Sequence, residues 1–247
     1  MDKMLYLAMT GAKSIMQAQQ TNSHNLANAN TPGFRADLDS FMSHKLEGPG
    51  YEDRVYSLDK GVGSDFQPGA VIQTGNTLDI AMSSGGWMAV QTDDGGEAYT
   101  KRGDLKISSV GQLMTGDGRP VMGEGGAITI PPAQKLEIAR DGTISIVPLG
   151  QDANTLAVID RIKLVKPDEA NLEKGLDGLF RAKDGLTLTA DAGVSVQSGA
   201  LESSNVNSIE ALVNMIDYSR AYEMQIKVMA AAQENDQASS KLLRSNG

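Results

Sequence analysis

The two histidines, His24 and His44, are the first candidates for chemistry, because imidazole is a common catalytic base and metal ligand. They lie 20 residues apart, and the chain has no cysteine that could join them in a metal site. A compact metal motif would place its ligands a few residues apart. We therefore expect neither a metal site nor a histidine-dependent catalytic site.

Two segments resemble ligand-binding loops only superficially. Asp93-Asp94-Gly95-Gly96-Glu97 is acidic, but it lacks the alternating ligand spacing of a calcium loop, so a hairpin turn is predicted. Gly123-Glu124-Gly125-Gly126 resembles a phosphate loop, yet the third glycine of that fingerprint would fall at Ile128. In addition, Pro131 and Pro132 prevent a helix from following this loop. No cofactor-binding residue is expected.

Carboxylates are abundant, with 31 Asp and Glu residues, so the presence of a pair identifies no site. A secreted enzyme that acts on glycans through paired carboxylates stays open as an alternative of another class. No arrangement of Ser, His and Asp can be argued from spacing. We expect no catalytic residue and no small-molecule substrate, so the sequence predicts that the protein is not an enzyme.

Composition narrows the possible partners. The 247 residues carry a formal net charge of −9, which argues against a nucleic-acid partner, because such a partner favours a basic face. With 40% hydrophobic residues, the chain has enough apolar material for a core. No apolar run approaches the about 18 residues of a membrane-spanning helix. The first residues lack the basic start and apolar run of a secretory signal.

The C-terminal region contains neither Gly nor Pro from residue 205 to 243, which predicts one long helix. Asn207 is a suitable N-cap, and Glu210 lies at the offset of a capping box. Apolar residues then recur at helical spacing in two stripes. The first stripe is Ile209, Leu212, Val213, Ile216, Ile226 and Ala230. The second stripe is Ala211, Met215, Tyr218, Tyr222 and Met229.

The N-terminal region, residues 2–28, predicts a second helix. Its seam residues, three and four apart, are Leu5, Ala8, Ala12, Ile15, Gln19, Asn22 and Leu26. Small Ala side chains allow close helix approach, and polar seam residues can set the register of a helix pair. Pro32 disfavours the helical conformation at Thr31, so the helix is expected to end near Asn28 to Asn30, where three Asn lie within six residues.

The middle of the chain predicts β structure. Residues 34–75 predict an irregular connector with an amphipathic turn or two around Phe34, Leu38, Phe41 and Met42, and extended pieces at 54–58 and 70–74. From 76 to 200, short β-forming runs alternate with Asp-Gly turns at 94–95, 117–118, 141–142 and 184–185, and the last runs are 180–182 and 186–188. This pattern favours an antiparallel sandwich or distorted barrel, with the only Trp, Trp87, in its core.

The predicted fold class is α+β. Long N- and C-terminal helices pack as an antiparallel pair, and a mostly antiparallel β domain is inserted between them. The expected divisions are a terminal helical domain at 1–33 and 201–247, a connector at 34–75 and a β-rich domain at 76–200. One stripe of the C-terminal helix packs on the N-terminal helix, and the second stripe is predicted to contact a neighbouring molecule.

Several segments together resemble the family of bacterial flagellar rod and hook proteins. They are Asn25-Leu26-Ala27-Asn28-Ala29-Asn30-Thr31-Pro32-Gly33-Phe34, Thr74-Gly75-Asn76-Thr77-Leu78-Asp79-Ile80-Ala81, Gly86-Trp87-Met88-Ala89-Val90, Ala98-Tyr99-Thr100-Lys101-Arg102-Gly103, Gly199-Ala200-Leu201-Glu202-Ser203-Ser204-Asn205-Val206-Asn207 and Leu212-Val213-Asn214-Met215-Ile216. The segments 220–227 and 234–236 resemble the proximal rod subgroup. The distal rod subgroup is the alternative, although an extra segment expected soon after Phe34 in that subgroup is absent here.

The resemblance implies a structural subunit of the flagellar axle. Its members leave the cytoplasm through a type III export apparatus, polymerise helically across the periplasm and transmit torque from motor to hook. The implied partners are copies of itself, other proximal and distal rod proteins and the export apparatus. A surface adhesin with a β head on a helical stalk is a further alternative.

Two sets of residues are predicted to serve this function. The assembly interface consists of Leu5, Ala12, Ile15, Leu26, Leu212, Met215, Ile216, Tyr218, Tyr222, Ile226 and Met229. The family motif, which the resemblance implies is a hinge, consists of Asn25, Asn28, Asn30, Thr31, Pro32, Gly33, Phe34, Ser204, Asn205, Val206 and Asn207.

Overall fold

The computed structural model describes residues 3–45, 55–83, 85–150 and 155–245. Helix α1 spans Lys3–Ala27 and helix α2 spans Ser208–Ser245. At the end of α1, the Asn28 N–H donates to the carbonyls of Asn25 (3.0 Å) and His24 (3.2 Å), and its side-chain amide also donates to His24. The predicted end of the first helix near Asn28 is confirmed.

The start of α2 is fixed by Asn207, as its position predicts. Its side-chain oxygen accepts from the N–H groups of Ile209 at 3.1 Å and Glu210 at 3.3 Å. These are two of the four N–H groups that the first turn of a helix leaves without an internal acceptor. The helix has 38 residues and is therefore about 57 Å long.

The two helices pack against each other and run antiparallel. The Asn22 amide donates to the Ala211 carbonyl at 2.7 Å, whereas a Cβ on Gly11 would lie 3.3 Å from the Gln225 amide. Residue numbers thus fall along α1 as they rise along α2. Small side chains permit this approach, because Ala8, Ala12 and Ala211 are buried. The predicted helix pair is confirmed.

A β-hairpin belongs to the same compact unit as the helices. Its strands, β1 (Asp37–Lys45) and β2 (Val55–Ser64), pair antiparallel from Asp37 opposite Ser64 to Lys45 opposite Val55. The amphipathic turn predicted around residues 34–42 is therefore wrong. The extended piece predicted at 54–58 is confirmed for the described residues, which begin at Val55.

The second compact unit, hereafter the β unit, comprises residues 30–36 and 66–205. Its strands are β3 (Val71–Gln73), β4 (Ile80–Met82), β5 (Trp87–Gln91), β6 (Glu97–Thr100), β7 (Leu105–Ile107), β8 (Leu113–Thr115), β9 (Met122–Gly123), β10 (Gly126–Ala127), β11 (Ala133–Ile138), β12 (Thr143–Pro148), β13 (Ala157–Arg161), β14 (Leu164–Val165), β15 (Leu172–Lys174), β16 (Phe180–Ala182), β17 (Val196–Ser198) and β18 (Ala200–Glu202). A 3₁₀ turn, Glu169–Asn171, precedes β15.

The sheets of the β unit are antiparallel throughout the described strands, as predicted. One sheet has the order β14-β5-β6-β16-β15, and another has the order β11-β12-β13. The pairs β9–β10, β7–β8, β4–β17 and β3–β18 complete the unit. The predicted strand at 186–188 is wrong, because the Leu188 N–H donates to the Tyr99 hydroxyl at 2.6 Å instead of to a strand.

Two apolar clusters form the core of the β unit. The larger one is aliphatic and includes Ile80, Met88, Leu113 and Ile144. The smaller one is aromatic, and in it the fully buried Trp87 lies 4.6 Å from Phe180 between ring centres. The predicted core position of Trp87 is confirmed.

The predicted Asp-Gly turns are also confirmed, because their glycines adopt the positive φ that such turns need. These glycines are Gly95, Gly118, Gly142 and Gly185. Among the described residues, no helix is long and apolar enough to cross a membrane. The predicted domain boundaries at residues 33, 75 and 200 stay a prediction.

Candidate assembly surface

The first stripe of α2 is the side of the helix that remains open to solvent. Ile209 is 73% exposed, and four further members of the stripe are large apolar side chains that are also exposed. They are Leu212, Val213, Ile216 and Ile226. The first four of these five side chains lie within residues 209–216, and exposed apolar surface continues further along α2, where Met224 is 60% and Val228 36% exposed.

The second stripe is less exposed than the first, and its predicted contact with a neighbouring molecule stays a prediction. Ala211 is 5% exposed, Met215, Tyr218 and Met229 are half-buried, and only Tyr222 is exposed. Helical spacing alone does not say which stripe faces α1. The small Ala211 and its hydrogen bond from Asn22 set the rotation of α2, because bulky Ile or Leu would keep the helices apart.

The predicted interface residues of α1 are all at least partly buried. Ala12 is buried, whereas Leu5, Ile15 and Leu26 are half-buried. Sequence reasoning did not place a further group in the interface, namely the exposed side chains Tyr6, Leu7, Met9 and Met16. Their exposure depends on the rotation of α1 against α2, for which the sequence carries no local signal.

Asn25 of the family motif holds strand β1. Its side chain accepts from the Asp37 N–H and donates to the Asp37 carbonyl, both at 2.8 Å. Nearby, the His24 ring lies 2.7 Å from the Asp37 carboxylate, and Thr21 donates to Asp39 at 2.9 Å. These bonds keep residue 37 extended, which is the physical reason why no helical turn forms there. They also give His24 a structural partner.

The motif continues in a turn that leads into the β unit. Asn30, Thr31 and Pro32 lie in this turn, and the Phe34 N–H donates to the Thr31 carbonyl at 3.3 Å. Gly33 has a φ of +67°, and a Cβ there would lie 2.2 Å from the Lys101 carbonyl oxygen. Only glycine fits this position.

In the C-terminal part of the motif, residues 204–207, Asn205 is hydrogen-bonded to the same turn. The Asn205 side chain accepts from the Ala36 N–H at 2.8 Å and donates to the Gln67 carbonyl at 3.1 Å. Its N–H donates to the Phe34 carbonyl at 3.3 Å. Ser204 accepts from the Ser203 hydroxyl through its carbonyl, and Val206 is half-buried. The structure therefore joins the 30–36 and 204–205 segments.

Sequence reasoning missed a buried charged cluster in the β unit. The Arg35 guanidinium lies 2.6 Å from the Glu202 carboxylate, and the Lys101 ammonium lies 3.9 Å from its other oxygen. The three side chains are between 1% and 4% exposed. Their segments carry or adjoin the family motifs, but a charged residue within a motif gives no signal that it is buried.

Burial shifts the pKa of two groups near this cluster. It lowers the pKa of the Lys101 ammonium below its ordinary value, and Glu202 offsets part of that effect. Burial also raises the pKa of the Tyr99 phenol to about 12, although the Leu188 N–H that the phenol accepts from acts in the opposite direction.

The other candidates for chemistry have structural roles. The acidic segment 93–97 forms the turn between β5 and β6, as predicted, and the segment 123–126 connects β9 and β10. Among the described residues, no group of three His, Asp or Glu could hold a metal ion. The side chain of His44 lies outside the part of the chain that the structure describes.

Three segments of the chain match known protein families. Residues 5–35 match the family described as "Flagella basal body rod protein", and residues 81–146 match "Flagellar hook protein FlgE/F/G D1 domain". Residues 197–242 match "Flagellar basal body rod FlgEFG protein C-terminal". The matches include α1 with its following turn, the first part of the β unit and most of α2.

Relatives of the same kind match over nearly the whole chain. The chain is 40% identical to the flagellar basal-body rod protein FlgF of Salmonella typhimurium over 98% of its own length and 99% of the relative. Identity to FlgF of Escherichia coli is 41% over the same shares. The flagellar basal-body rod protein FlgG of Bacillus subtilis is 30% identical, with 93% of this chain and 95% of the relative covered.

Proposed function

The chain belongs to the family of bacterial flagellar basal-body rod proteins, and we propose that it polymerises into the proximal rod through the exposed side of its helix pair. Membership makes it a structural subunit, and its place is the rod of the flagellar basal body. Helical polymerisation, torque transmission and export by the type III apparatus complete the proposal. In this role the chain catalyses no reaction.

The first stripe supports this proposal most directly. A row of large aliphatic side chains along one helix is unusual on the surface of a monomer, and such patches mark interaction sites. Burial of one such side chain contributes about 1.5–3 kcal/mol, so the stripe can drive association once a partner covers it. Contact with a different surface of the next subunit would produce an open helical array rather than a closed ring.

The proposed partners are copies of this chain and other rod proteins. The proximal position is supported by two FlgF relatives that are 40% and 41% identical over nearly the whole chain, whereas other FlgF relatives are 31–32% and FlgG relatives 30–31% identical. The second stripe enters this proposal indirectly, since Met215, Tyr218 and Met229 support the helix pair that presents the first stripe. Tyr222, which is exposed, remains a proposed contact of its own.

Substitutions in the first stripe test the proposal in cells that carry the variant in place of the normal copy. We expect Leu212→Asp and Ile216→Asp to abolish swimming and to leave the protein out of purified basal bodies. Gln233→Asp, at an exposed polar position of the same helix, is the matched control and should assemble normally. Circular dichroism of the purified variants must show unchanged helix content. Normal basal bodies containing Ile216→Asp and Leu212→Asp would refute the assembly role of the stripe.

A further inference from the structure

Glu202 is the point at which all the segments that connect the β unit to the rest of the chain come together. The β unit is entered and left next to residues 30, 36, 66 and 205. The Glu202 carboxylate binds Arg35, in the segment 30–36, at 2.6 Å. It also accepts at 3.0 Å from the N–H of Gly69, which lies just after the chain re-enters the β unit at residue 66. The backbone carbonyl of Glu202 accepts from the Gly33 N–H at 2.8 Å. Glu202 itself lies three residues before the chain leaves the β unit at residue 205.

Among the described residues, Glu202 is the main source of negative charge for this cluster. Arg35 and Lys101 are both buried, and Glu202 is the only carboxylate in contact with either. Two nitrogens of the Arg35 guanidinium, Nε and Nη1, have no hydrogen-bond partner among the described atoms. Removing one member of a buried ion pair is strongly destabilising, because the remaining charge is left without compensation. Here two buried cations would be left without a carboxylate in contact, and Lys101 would keep only the weaker attraction of Glu169.

The backbones of these segments also lie in close contact with one another. A Cβ on Gly69 would lie 2.0 Å from the Ser203 carbonyl oxygen, and a Cβ on Gly33 would lie 2.2 Å from the Lys101 carbonyl oxygen. Lys174 adds a further bond, donating to the Arg35 carbonyl at 2.8 Å with its ammonium 4.0 Å from the centre of the Phe34 ring. The Glu202 carboxylate thus contacts residues as far as 167 positions away in the sequence.

We propose that Arg35, Lys101 and Glu202 form a clasp that makes the folded β unit conditional on the pairing of its first and last segments. A chain in which residues 199–205 are held apart from residues 33–35 then cannot complete the unit, whatever strands it has already formed. The clasp follows from these contacts and does not depend on the assembly role of the helices.

Equilibrium unfolding of the full-length protein in urea tests the clasp, with fluorescence of Trp87 as the signal. Trp87 is the only Trp, and the Lys101 ammonium lies 5.5 Å from its ring centre, so this signal reports on the β unit at the clasp. Glu202→Gln should lower the ratio of folded to unfolded β unit by at least about 100-fold. Glu173→Gln, at an exposed strand position of the same unit, should change it by no more than about 2-fold.

A second substitution separates charge balance from simple loss of contacts. Lys101→Met combined with Glu202→Gln removes one of the two uncompensated cations. The ratio of folded to unfolded β unit should therefore be at least about 10-fold higher in the double variant than in Glu202→Gln alone. If Glu202→Gln matches Glu173→Gln, or if the losses from Lys101→Met and Glu202→Gln simply multiply, the clasp is overturned.

If Glu202→Gln does not fold, amide hydrogen exchange in the unmodified protein tests the clasp instead. The clasp requires the Gly33 and Gly69 amides, which both donate to Glu202, to exchange as slowly as the amides of the β5–β6 ladder. Exchange at these two amides more than about 100-fold faster than in the ladder would show that the first and last segments open independently, and the proposal would then be wrong.

Discussion

At the scale of single residues, asparagines of the family motif act as substitutes for backbone partners. Asn207 could be predicted as a cap, because the N–H groups that donate to its side chain lie only two and three residues away. The role of Asn25 could not, since its partner Asp37 is 12 residues away in a strand that the sequence did not reveal. The pairing of Arg35, Lys101 and Glu202 could not be predicted either, because it depends on the folded chain and not on their spacing in the sequence.

Loss of the Asn25 amide should loosen strand β1. Asn25→Ala removes both hydrogen bonds to Asp37, and we expect it to lower the free energy of unfolding by about 1–3 kcal/mol. Asn30→Ala, at an exposed position in the following turn, is the control and should have little effect. Thermal unfolding followed by circular dichroism measures the difference. Equal stability of the two variants would contradict the assigned role of Asn25.

The raised pKa of Tyr99 makes the β unit sensitive to alkali. A phenol whose pKa rises from 10 to about 12 on folding contributes stability that is complete below pH 10 and is lost as the pH rises through 12. Tyr99→Phe has no ionisable phenol, so its stability should fall less over this range than that of the unmodified protein. The lowered pKa of Lys101 acts with the opposite sign up to its unfolded value of 10.5, and the comparison cancels it. Urea unfolding at pH 9, 10, 11 and 12 measures both proteins, and parallel curves would exclude this explanation.

At the scale of elements, the helices were predictable and their rotation was not. Apolar spacing, the cap at Asn207 and the break at Pro32 are local signals, and they located both helices correctly. Two apolar stripes were visible on α2, but only the contacts of Asn22 and Ala211 determine which one faces α1. The β1–β2 hairpin was missed because strand pairing is not local, and glycines interrupt the apolar pattern of residues 48–63.

Adjacent substitutions on α2 should therefore have opposite consequences. Met215 is half-buried and Ile216 is 55% exposed, so the same change at both positions tests the rotation of the helix directly. We expect Met215→Asp to lower the stability of the purified protein by about 1–3 kcal/mol, since it places a charge in a partly apolar contact. Ile216→Asp should stay within about 0.5 kcal/mol of the unmodified protein. A larger loss for Ile216→Asp than for Met215→Asp would show that the stripes are assigned the wrong way round.

At the scale of the whole molecule, the motifs that identify the family lie in distant parts of the sequence. Within the β unit, segments near residues 33–35, 101–103 and 199–205 meet at the turn at Gly33 and at the buried charges. The α+β class and the family could therefore be predicted from the sequence, because both depend on local patterns in a fixed order. The exposed apolar surface could not, because exposure depends on how every element packs.

Cross-linking from the first stripe in assembled basal bodies tests the central claim most directly. A photoreactive amino acid at position 216, with position 215 as the matched comparison, is activated in intact basal bodies and the products are identified by mass spectrometry. We predict adducts from position 216 to a second copy of this chain or to another rod protein, and adducts from position 215 mainly within the same chain. Intermolecular adducts from position 215, with none from 216, would contradict the account.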